Sequence, residues 1–182
     1  MAEKVLVPIA DGCEEIEAVC IIDVLRRAGA LVTVASVNKL QITASRGIKL
    51  VADQLITDCA NCTYNLIALP GGMPGAEHLR DSEKLKILLK RQQKEGRFYA
   101  AICASPVVVF QHHGLLGQCH TTCHPSFVNK LKNTQAVQSR VVIDGTCITS
   151  RGPGTALEFS LKLVELLFGD QKAKEIAQAM LY

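Results

Sequence analysis

The sequence predicts an α/β fold in which helices cover both faces of a mainly parallel sheet. Short apolar runs alternate with longer amphipathic segments, and turns that contain glycine separate them. This alternation is typical of strand–helix–strand units, which place parallel strands side by side. The chain has 182 residues, and no repeat, linker or low-complexity segment interrupts it. We therefore expect one domain over residues 1–182.

The first half of the chain begins with an apolar run that fits a buried parallel strand. The following helix opens at the Asp11-Gly12 turn, carries Glu14 and Glu15 where the helix dipole favours carboxylates, and stops at Gly29. In order, we predict a strand over 4–10, a helix over 11–30, a strand over 31–37, a hairpin over 40–53, a strand over 64–72 ending in a glycine turn, and a helix over 82–95.

The second half continues the alternation. Ser105 and Pro106 are suited to the N-cap and first position of a helix, and Thr155 with Glu158 forms the pattern of a capping box. We predict a strand over 97–102, a helix over 105–113, irregular or short helical structure over 119–133, a hairpin over 139–150 turning at Asp144-Gly145, a helix over 155–169 and a last helix over about 170–180.

Composition excludes several classes of function. The net charge is +3 without a long basic run, which gives nucleic-acid binding little electrostatic support. No apolar stretch has the length of a membrane span. The N-terminus enters a strand-like run and lacks a cleavage site for a signal peptide, so we expect a cytoplasmic protein. The eight cysteines are then expected to be reduced thiols.

Ligands of such folds bind outside the carboxyl ends of the strands. Three predicted turns fall at that edge: the Gly71-Gly72 turn, the turn at Cys103, and the turn before the first helix, near Glu14–Glu17. The sequence thus brings a thiol, carboxylates and a glycine backbone to one edge of the sheet.

Cys103 lies between a predicted strand and a predicted helix. A thiol just before the positive end of a helix dipole has a lowered pKa and is more nucleophilic. A sharp strand-to-helix turn also lifts the side chain out of the sheet, as in the nucleophile elbow of hydrolases. The alternative is an inert cysteine that fills the core. The residues alone leave these two interpretations about equally supported.

Two other groups of cysteines suggest alternatives. Cys119, His120, Cys123 and His124 are metal-ligating types at short spacing, but they form one cluster where a structural zinc site usually draws on two separated pairs. We therefore favour a loop without a metal. The CxxC pattern at Cys59 and Cys62 lacks the helix N-terminus of thioredoxin motifs, which favours a surface loop over a redox pair.

Four segments together resemble the ThiJ/PfpI superfamily. They are "DGCEEIEAV", "LPGGMPGAEHL", "AAICASP" and "TSRGPGTALEFSLKLVELL", in that order over essentially the whole chain. They are most similar to the branch of a parkinsonism-linked protein deglycase and bacterial YajL. The resemblance implies a flavodoxin-like, three-layer α/β sandwich that forms a homodimer.

The resemblance also implies a site. Cys103 is the reactive cysteine, Glu17 is its carboxylate partner, and backbone N–H groups of Gly72 and Ala104 face the sulfur. His124 matches a histidine of the family, although Cys123 leaves that alignment open by one residue. Periodicity alone does not choose among the glutamates of the first helix, and a solvated first-turn carboxylate is the simpler interpretation of each. Supporting positions are Arg46, Gly71, Ser150, Arg151, Gly152 and Pro153.

The activity implied by the resemblance is a glyoxalase or deglycase reaction without metal or organic cofactor. Its substrates are methylglyoxal, glyoxal or early glycation adducts on proteins and nucleotides, and its role is protection against oxidative and carbonyl stress. An older family label refers to thiazole monophosphate biosynthesis. A peptidase is poorly supported, because Ala104 stands where the protease-like branch has histidine. The alternative is a redox sensor or redox-regulated chaperone that acts through a Cys103 sulfinate.

Overall fold

The computed structural model describes residues 2–182. The strands are β1 (Lys4–Ile9), β2 (Leu31–Ser36), β3 (Gln41–Thr43), β4 (Lys49–Val51), β5 (Gln54–Leu55), β6 (Leu66–Leu69), β7 (Phe98–Ile102), β8 (Val141–Asp144) and β9 (Cys147–Ser150). The helices are α1 (Glu15–Arg27), α2 (Gly75–Asp81), α3 (Glu83–Lys94), α4 (Ala156–Phe168) and α5 (Asp170–Ala179).

Seven strands form one sheet in the order β5-β2-β1-β6-β7-β9-β8. All neighbours in it run parallel except β8 and β9, which form the predicted antiparallel hairpin. Strands β3 and β4 pair separately, as the hairpin predicted over 40–53. The predicted mainly parallel α/β sandwich is confirmed.

Two apolar layers enclose the sheet. On one face, α1 packs against α4 and α4 against α5, around fully buried side chains such as Ile21 and Phe159. On the other face, α3 contributes Leu85 and Leu89, which pack with the opposite side chains of β6 and β7. Because successive side chains of a strand point to opposite faces of the sheet, each strand contributes residues to both layers.

After Cys103, Ser105 and Pro106 stand at the predicted N-cap and first helical positions, but the side-chain cap expected from Ser105 does not form. Ser105 Oγ caps no helix and donates to the carbonyl oxygen of Pro70 at 2.6 Å. The segment that follows, Pro106–Gln111, is a short π-helical turn and not the longer helix predicted over 105–113. Its side chains are mostly buried, so packing of this apolar segment determines its backbone more than helix signals do.

The capping box predicted at the start of α4 is also wrong. Thr155 Oγ1 accepts from the N–H of Gly152 at 3.1 Å and lies 2.7 Å from Ser150 Oγ. Glu158 pairs with Arg140 instead of the helix start. The loop before α4 therefore uses the threonine to fix its own shape.

Helix α2 and strand β5 were not predicted. The segment "GGMPGAEHLRD" contains several turn-forming residues, yet Gly75 and Ala76 are buried against the start of α1 and the helix forms over seven residues. Two-residue β5 is too short to give a periodic signal. Among residues 2–182, no helix combines the length and apolar character that a membrane crossing requires.

Candidate active site

Cys103 follows β7 directly, and its backbone has a φ of +67°. This left-handed conformation is uncommon for a residue other than glycine and is often found at functional sites. Two backbone hydrogen bonds hold it: the Cys103 N–H donates to Ser150 O at 3.1 Å, and its carbonyl accepts from His124 N at 2.8 Å. The predicted elbow is therefore present, and it is fastened to two neighbouring loops.

Glu17 reaches the elbow from the first turns of α1, and its side chain is fully buried. Its Oε2 accepts from the N–H of Gly71 at 2.7 Å. Among residues 2–182, Oε1 has no hydrogen-bond partner, and the Cys103 side chain interacts with the carboxyl group. Burial raises the pKa of Glu17 to about 7, although the contacts with Gly71 and Cys103 oppose this. Glu17 can therefore carry a proton near neutral pH.

Cys103 is 9% exposed, and its side chain faces this carboxyl group. Burial and then the negative charge of Glu17 raise the pKa of the Cys103 thiol to about 12, while the N–H groups of Gly72 and Ala104 favour the thiolate. The lowered pKa predicted from the helix dipole is therefore wrong. The π-helical turn after Cys103 is short, and burial beside a carboxylate outweighs its dipole.

The two groups titrate as a pair, because ionisation of one disfavours ionisation of the other. From about pH 7 upward, and until the second group ionises, the pair holds one proton, and the higher pKa of Cys103 places it mainly on the sulfur. When the carboxyl group of Glu17 holds that proton, the sulfur is an anion that faces the N–H groups of Gly72 and Ala104. The arrangement thus offers a nucleophile and an acid in the same protonation state.

The glycine turn makes this close approach possible. Gly71 and Gly72 lie against the elbow and the start of α1, with the Glu14 N–H donating to Gly71 O at 3.0 Å. A Cβ at Gly71 would lie 2.6 Å from the Cβ of Cys103, and a Cβ at Gly72 would lie 2.4 Å from Glu14 N. Both positions therefore require glycine for steric reasons.

A cavity of about 340 Å³ opens above the sulfur. Its lining includes Cys103, Gly72, Ala104, Arg46, His124 and Pro153. The half-buried His124 accepts from Ser126 N at 3.2 Å through Nδ1, and its ring lies against Gly152. The volume suits a small substrate of a few non-hydrogen atoms.

The remaining predicted supporting residues surround this cavity in different ways. Arg46 is exposed and lines it, while its N–H donates to Glu15 Oε1 at 2.8 Å. Ser150 and Gly152 are buried behind it, and Ser150 Oγ donates to Arg140 O at 2.8 Å. Arg151 instead lines a neighbouring cleft.

The cysteine and histidine cluster does not converge. Within the described chain, no three of these or other potential ligands come together in a way that could hold a metal ion. His120 is directed to Asp144 and Gln135, at 3.1 and 2.8 Å, while Cys123 is buried. His124 alone of this cluster faces the cavity of Cys103.

Two polar residues of the cavity, Glu14 and Ser45, were given no role by sequence reasoning. Ser45 Oγ lies 2.8 Å from Glu14 Oε2 and 2.7 Å from Glu15 Oε2, so its single proton is shared between the two side chains and holds them together. For Glu14, the sequence did offer a signal: its position just before α1 predicted that it lies at this edge of the sheet. Ser45 gave none, because it arrives from the separate β3–β4 hairpin.

The buried carboxyl group predicts a pH effect on stability. Folding raises the pKa of Glu17 from 4.5 to about 7, so the folded state binds more protons than the unfolded state between these values. The contribution of Glu17 to the free energy of unfolding is therefore fully present below pH 4.5. As the pH rises through 7, the free energy of unfolding falls by about 3 kcal/mol. Relative to wild type, Glu17→Gln should become more stable by that amount between pH 4.5 and 7.5, as measured by urea unfolding. A difference that does not vary with pH would contradict the raised pKa.

Three comparisons relate this chain to known proteins. The sequence model of the DJ-1/PfpI family matches residues 3–166. The chain is 50% identical over 179 residues to the protein DJ-1 homolog B of Arabidopsis thaliana, which covers 98% of this chain and 41% of that relative. The chain thus spans less than half of that relative.

Two further relatives match over nearly their full length. The glutathione-independent glyoxalase DJR-1.2 of Caenorhabditis elegans is 36% identical over 178 residues, covering 97% of this chain and 94% of that protein. The solved structure of oxidised Toxoplasma gondii DJ-1 is 49% identical and superposes with a TM-score of 0.97, covering 100% of this chain and 99% of the other.

Proposed function

The chain belongs to the DJ-1/PfpI family, and on that premise we propose that it is a cysteine-dependent glyoxalase that needs no cofactor. The observation that carries the proposal is the contact between Cys103 and the protonatable Glu17 at the floor of a small cavity. The glyoxalase name of the Caenorhabditis elegans relative supports it. Methylglyoxal and glyoxal are the proposed substrates, with early glycation adducts on proteins or nucleotides as larger ones.

The first step of the proposed reaction uses the shared proton. The Cys103 thiolate attacks the aldehyde carbon of methylglyoxal, and the C=O electron pair moves to oxygen. The N–H groups of Gly72 and Ala104 stabilise the developing oxyanion. Glu17 then donates its proton to that oxygen, which gives a neutral hemithioacetal on Cys103 and leaves a carboxylate.

The second stage moves a proton between the two carbons. The Glu17 carboxylate removes the proton from the former aldehyde carbon, giving an enediolate. The hydroxyl proton on that carbon's oxygen moves to the neighbouring oxygen, and Glu17 returns its own proton to the neighbouring carbon, giving a thioester. His124 lines the same cavity and can take part in these transfers. Water then hydrolyses the thioester to lactate, and the pair regains its single proton. The sum is methylglyoxal plus water to lactate plus one proton, which is released to solvent.

Turnover of methylglyoxal tests this proposal directly. Wild-type protein is incubated with excess methylglyoxal in an amine-free buffer, and lactate is measured enzymatically. We expect lactate in large molar excess over protein, because the cycle restores the thiol and carboxyl groups. Lactate no greater than in a protein-free control would overturn the proposal.

Replacing Glu17 by glutamine separates its role from that of nearby carboxylates. The amide keeps the shape but can neither give up nor accept the shuttled proton, so we expect kcat to fall by about 10²- to 10³-fold. Glu14→Gln is the matched control, because Glu14 lines the same cavity but bonds to Ser45. Equal losses in both variants, followed as lactate formation, would contradict a specific role for Glu17.

A redox sensor is the second candidate function. A protonated Glu17 beside the sulfur can donate a hydrogen bond to a Cys103 sulfinate, which would favour that oxidation state. A close structural relative is known in an oxidised form. Peroxide titration with mass spectrometry of Cys103 distinguishes the two. A protein that makes sulfinate readily but no lactate would be a sensor.

The active protein is proposed to be a cytoplasmic homodimer. Ile16 and Val19 on α1 and Ile48 and Val51 on the β3–β4 hairpin are about half exposed or more, and Glu15 connects the two elements near Ile48. Such exposed apolar side chains are typical of protein interfaces. Sedimentation equilibrium tests this proposal, since a monomer at every concentration would contradict it.

A further inference from the structure

Cys59 and Cys62 are held in one tight turn. Cys59 ends a 3₁₀ turn over Ile56–Cys59, and the N–H of Cys62 donates to the carbonyl oxygen of Cys59 at 3.0 Å. A bond from residue i to residue i+3 brings the two Cα atoms within about 7 Å. Disulfides join Cα atoms that are about 4.4 to 6.8 Å apart, so the backbone already suits a bond between these two sulfurs.

The side chains around the turn converge on the sulfurs. Burial and then interactions with Cys59 and Cys62 raise the pKa of the Tyr64 phenol, so this side chain lies near both cysteines. Gln54 Nε2 donates to Cys59 Sγ at 3.1 Å. A polar donor therefore reaches the sulfur of Cys59 inside an otherwise apolar layer, in which Tyr64 is also buried.

The turn is also fixed from outside. Arg91 of α3 donates to the carbonyl oxygen of Ala60 at 3.1 Å and to that of Cys62. These contacts tie Ala60, between the cysteines, and Cys62 itself to a regular helix. The turn that joins the two cysteines is therefore part of the folded structure.

Exposure distinguishes the two thiols. Cys59 is fully buried, whereas Cys62 is exposed. An exposed thiol can meet a disulfide from solution, and a buried neighbour can then attack the mixed disulfide that results. A dithiol exchange site requires one thiol that is accessible to solvent and a neighbouring thiol that is protected from it.

The pair is separate from the Cys103 site. It precedes the amino end of β6, whereas the Gly71-Gly72 turn follows the carboxyl end of the same strand. The two thiol sites therefore lie at opposite edges of the sheet, and neither Cys59 nor Cys62 lines the Cys103 cavity.

We propose that Cys59 and Cys62 form a second redox site, which exchanges reversibly with small disulfides of the glutathione type. The sulfur of Cys62 attacks one sulfur of the small disulfide, whose S–S bond breaks and releases one thiol. Cys59 then attacks the Cys62 sulfur and releases the second thiol. Two protein thiols are oxidised to one disulfide, and the small disulfide is reduced to two thiols, which take up the two protons.

The sequence alone favoured a surface loop here, because no helix begins at the CxxC pattern. The structure supplies other determinants: a β-turn that sets the spacing, Tyr64 near the two cysteines, and Arg91 on the loop carbonyls. Tyr64 and Arg91 come from outside the CxxC pattern, so the pattern itself could not reveal them.

Peptide mapping in glutathione buffers tests the site. The full-length protein is equilibrated with mixtures of reduced and oxidised glutathione, quenched with acid, alkylated, digested and analysed by mass spectrometry. We expect the peptide with two alkylated cysteines to be replaced by one with an internal Cys59–Cys62 disulfide. The ratio of the two should vary with the inverse square of reduced glutathione, because two thiols are released.

Two variants sharpen the result. Cys59→Ser should accumulate glutathione on Cys62, since the attacking thiol is gone. Cys119→Ser removes another thiol that is not fully buried and should leave the midpoint unchanged. Wild type that stays fully alkylated in the most oxidising buffer, or that carries glutathione on Cys62 without the internal bond, would overturn the proposal. The wild-type result decides the question even if Cys59→Ser does not fold.

Discussion

Cys103→Ala is expected to lower kcat/KM for methylglyoxal by at least about 10³-fold, because the variant lacks the atom that forms the covalent intermediate. No other thiol can replace it from its position, since the φ of +67° at Cys103 directs this one side chain between Glu17 and the N–H groups of Gly72 and Ala104. Lactate formation in an amine-free buffer measures the effect.

The control for this prediction is Cys62→Ser, which removes an exposed thiol at the opposite edge of the sheet. It should keep wild-type turnover, which would also show that the two thiol sites act independently. Substantial lactate formation by Cys103→Ala would mean that the reaction does not pass through this sulfur.

Gly72→Ala is expected to lower the free energy of unfolding by at least about 3 kcal/mol. Gly72 has a φ of +86°, and an added Cβ would lie 2.4 Å from Glu14 N and 2.7 Å from Gly12 O. These are backbone atoms that cannot move without shifting the start of α1. Thermal unfolding should show a decrease in Tm of about 6 °C or more.

Gly47→Ala is a matched control for backbone strain. Gly47 has nearly the same φ, +87°, but an added Cβ would have no neighbour within 4 Å. Gly47→Ala should therefore lower the free energy of unfolding only by what it takes to hold alanine at a positive φ, about 1 to 2 kcal/mol. If both variants lose the same stability, the contact of the glycine turn with α1 is not as tight as described.

Much of the fold follows from sequence periodicity. The strands β1, β2, β6 and β7 are short apolar runs, and the order of strands and helices predicts a parallel sheet. The missed elements have local reasons. Helix α2 lies in a segment rich in turn residues and depends on burial of Gly75 against Cys13, which no local pattern reveals.

The site was less accessible to sequence reasoning. The residues alone place Cys103 at an elbow. The selection of Glu17 needed the resemblance to a family, because tertiary packing, and not the local sequence, determines which glutamate lies against the sulfur. The predicted direction of the Cys103 pKa shift was wrong because it, too, depends on tertiary structure. A dipole argument uses neighbours in the chain, whereas burial and the Glu17 charge come from the tertiary structure.

The central claim, that Cys103 carries the substrate covalently, is tested most directly by carbon-13 NMR. Methylglyoxal labelled at the aldehyde carbon is mixed with stoichiometric wild-type protein and, separately, with Cys103→Ala. We predict a protein-bound hemithioacetal signal that appears before lactate and decays as lactate forms, with neither signal in the variant. Lactate that forms at the same rate in both proteins, without a bound signal, would contradict the mechanism.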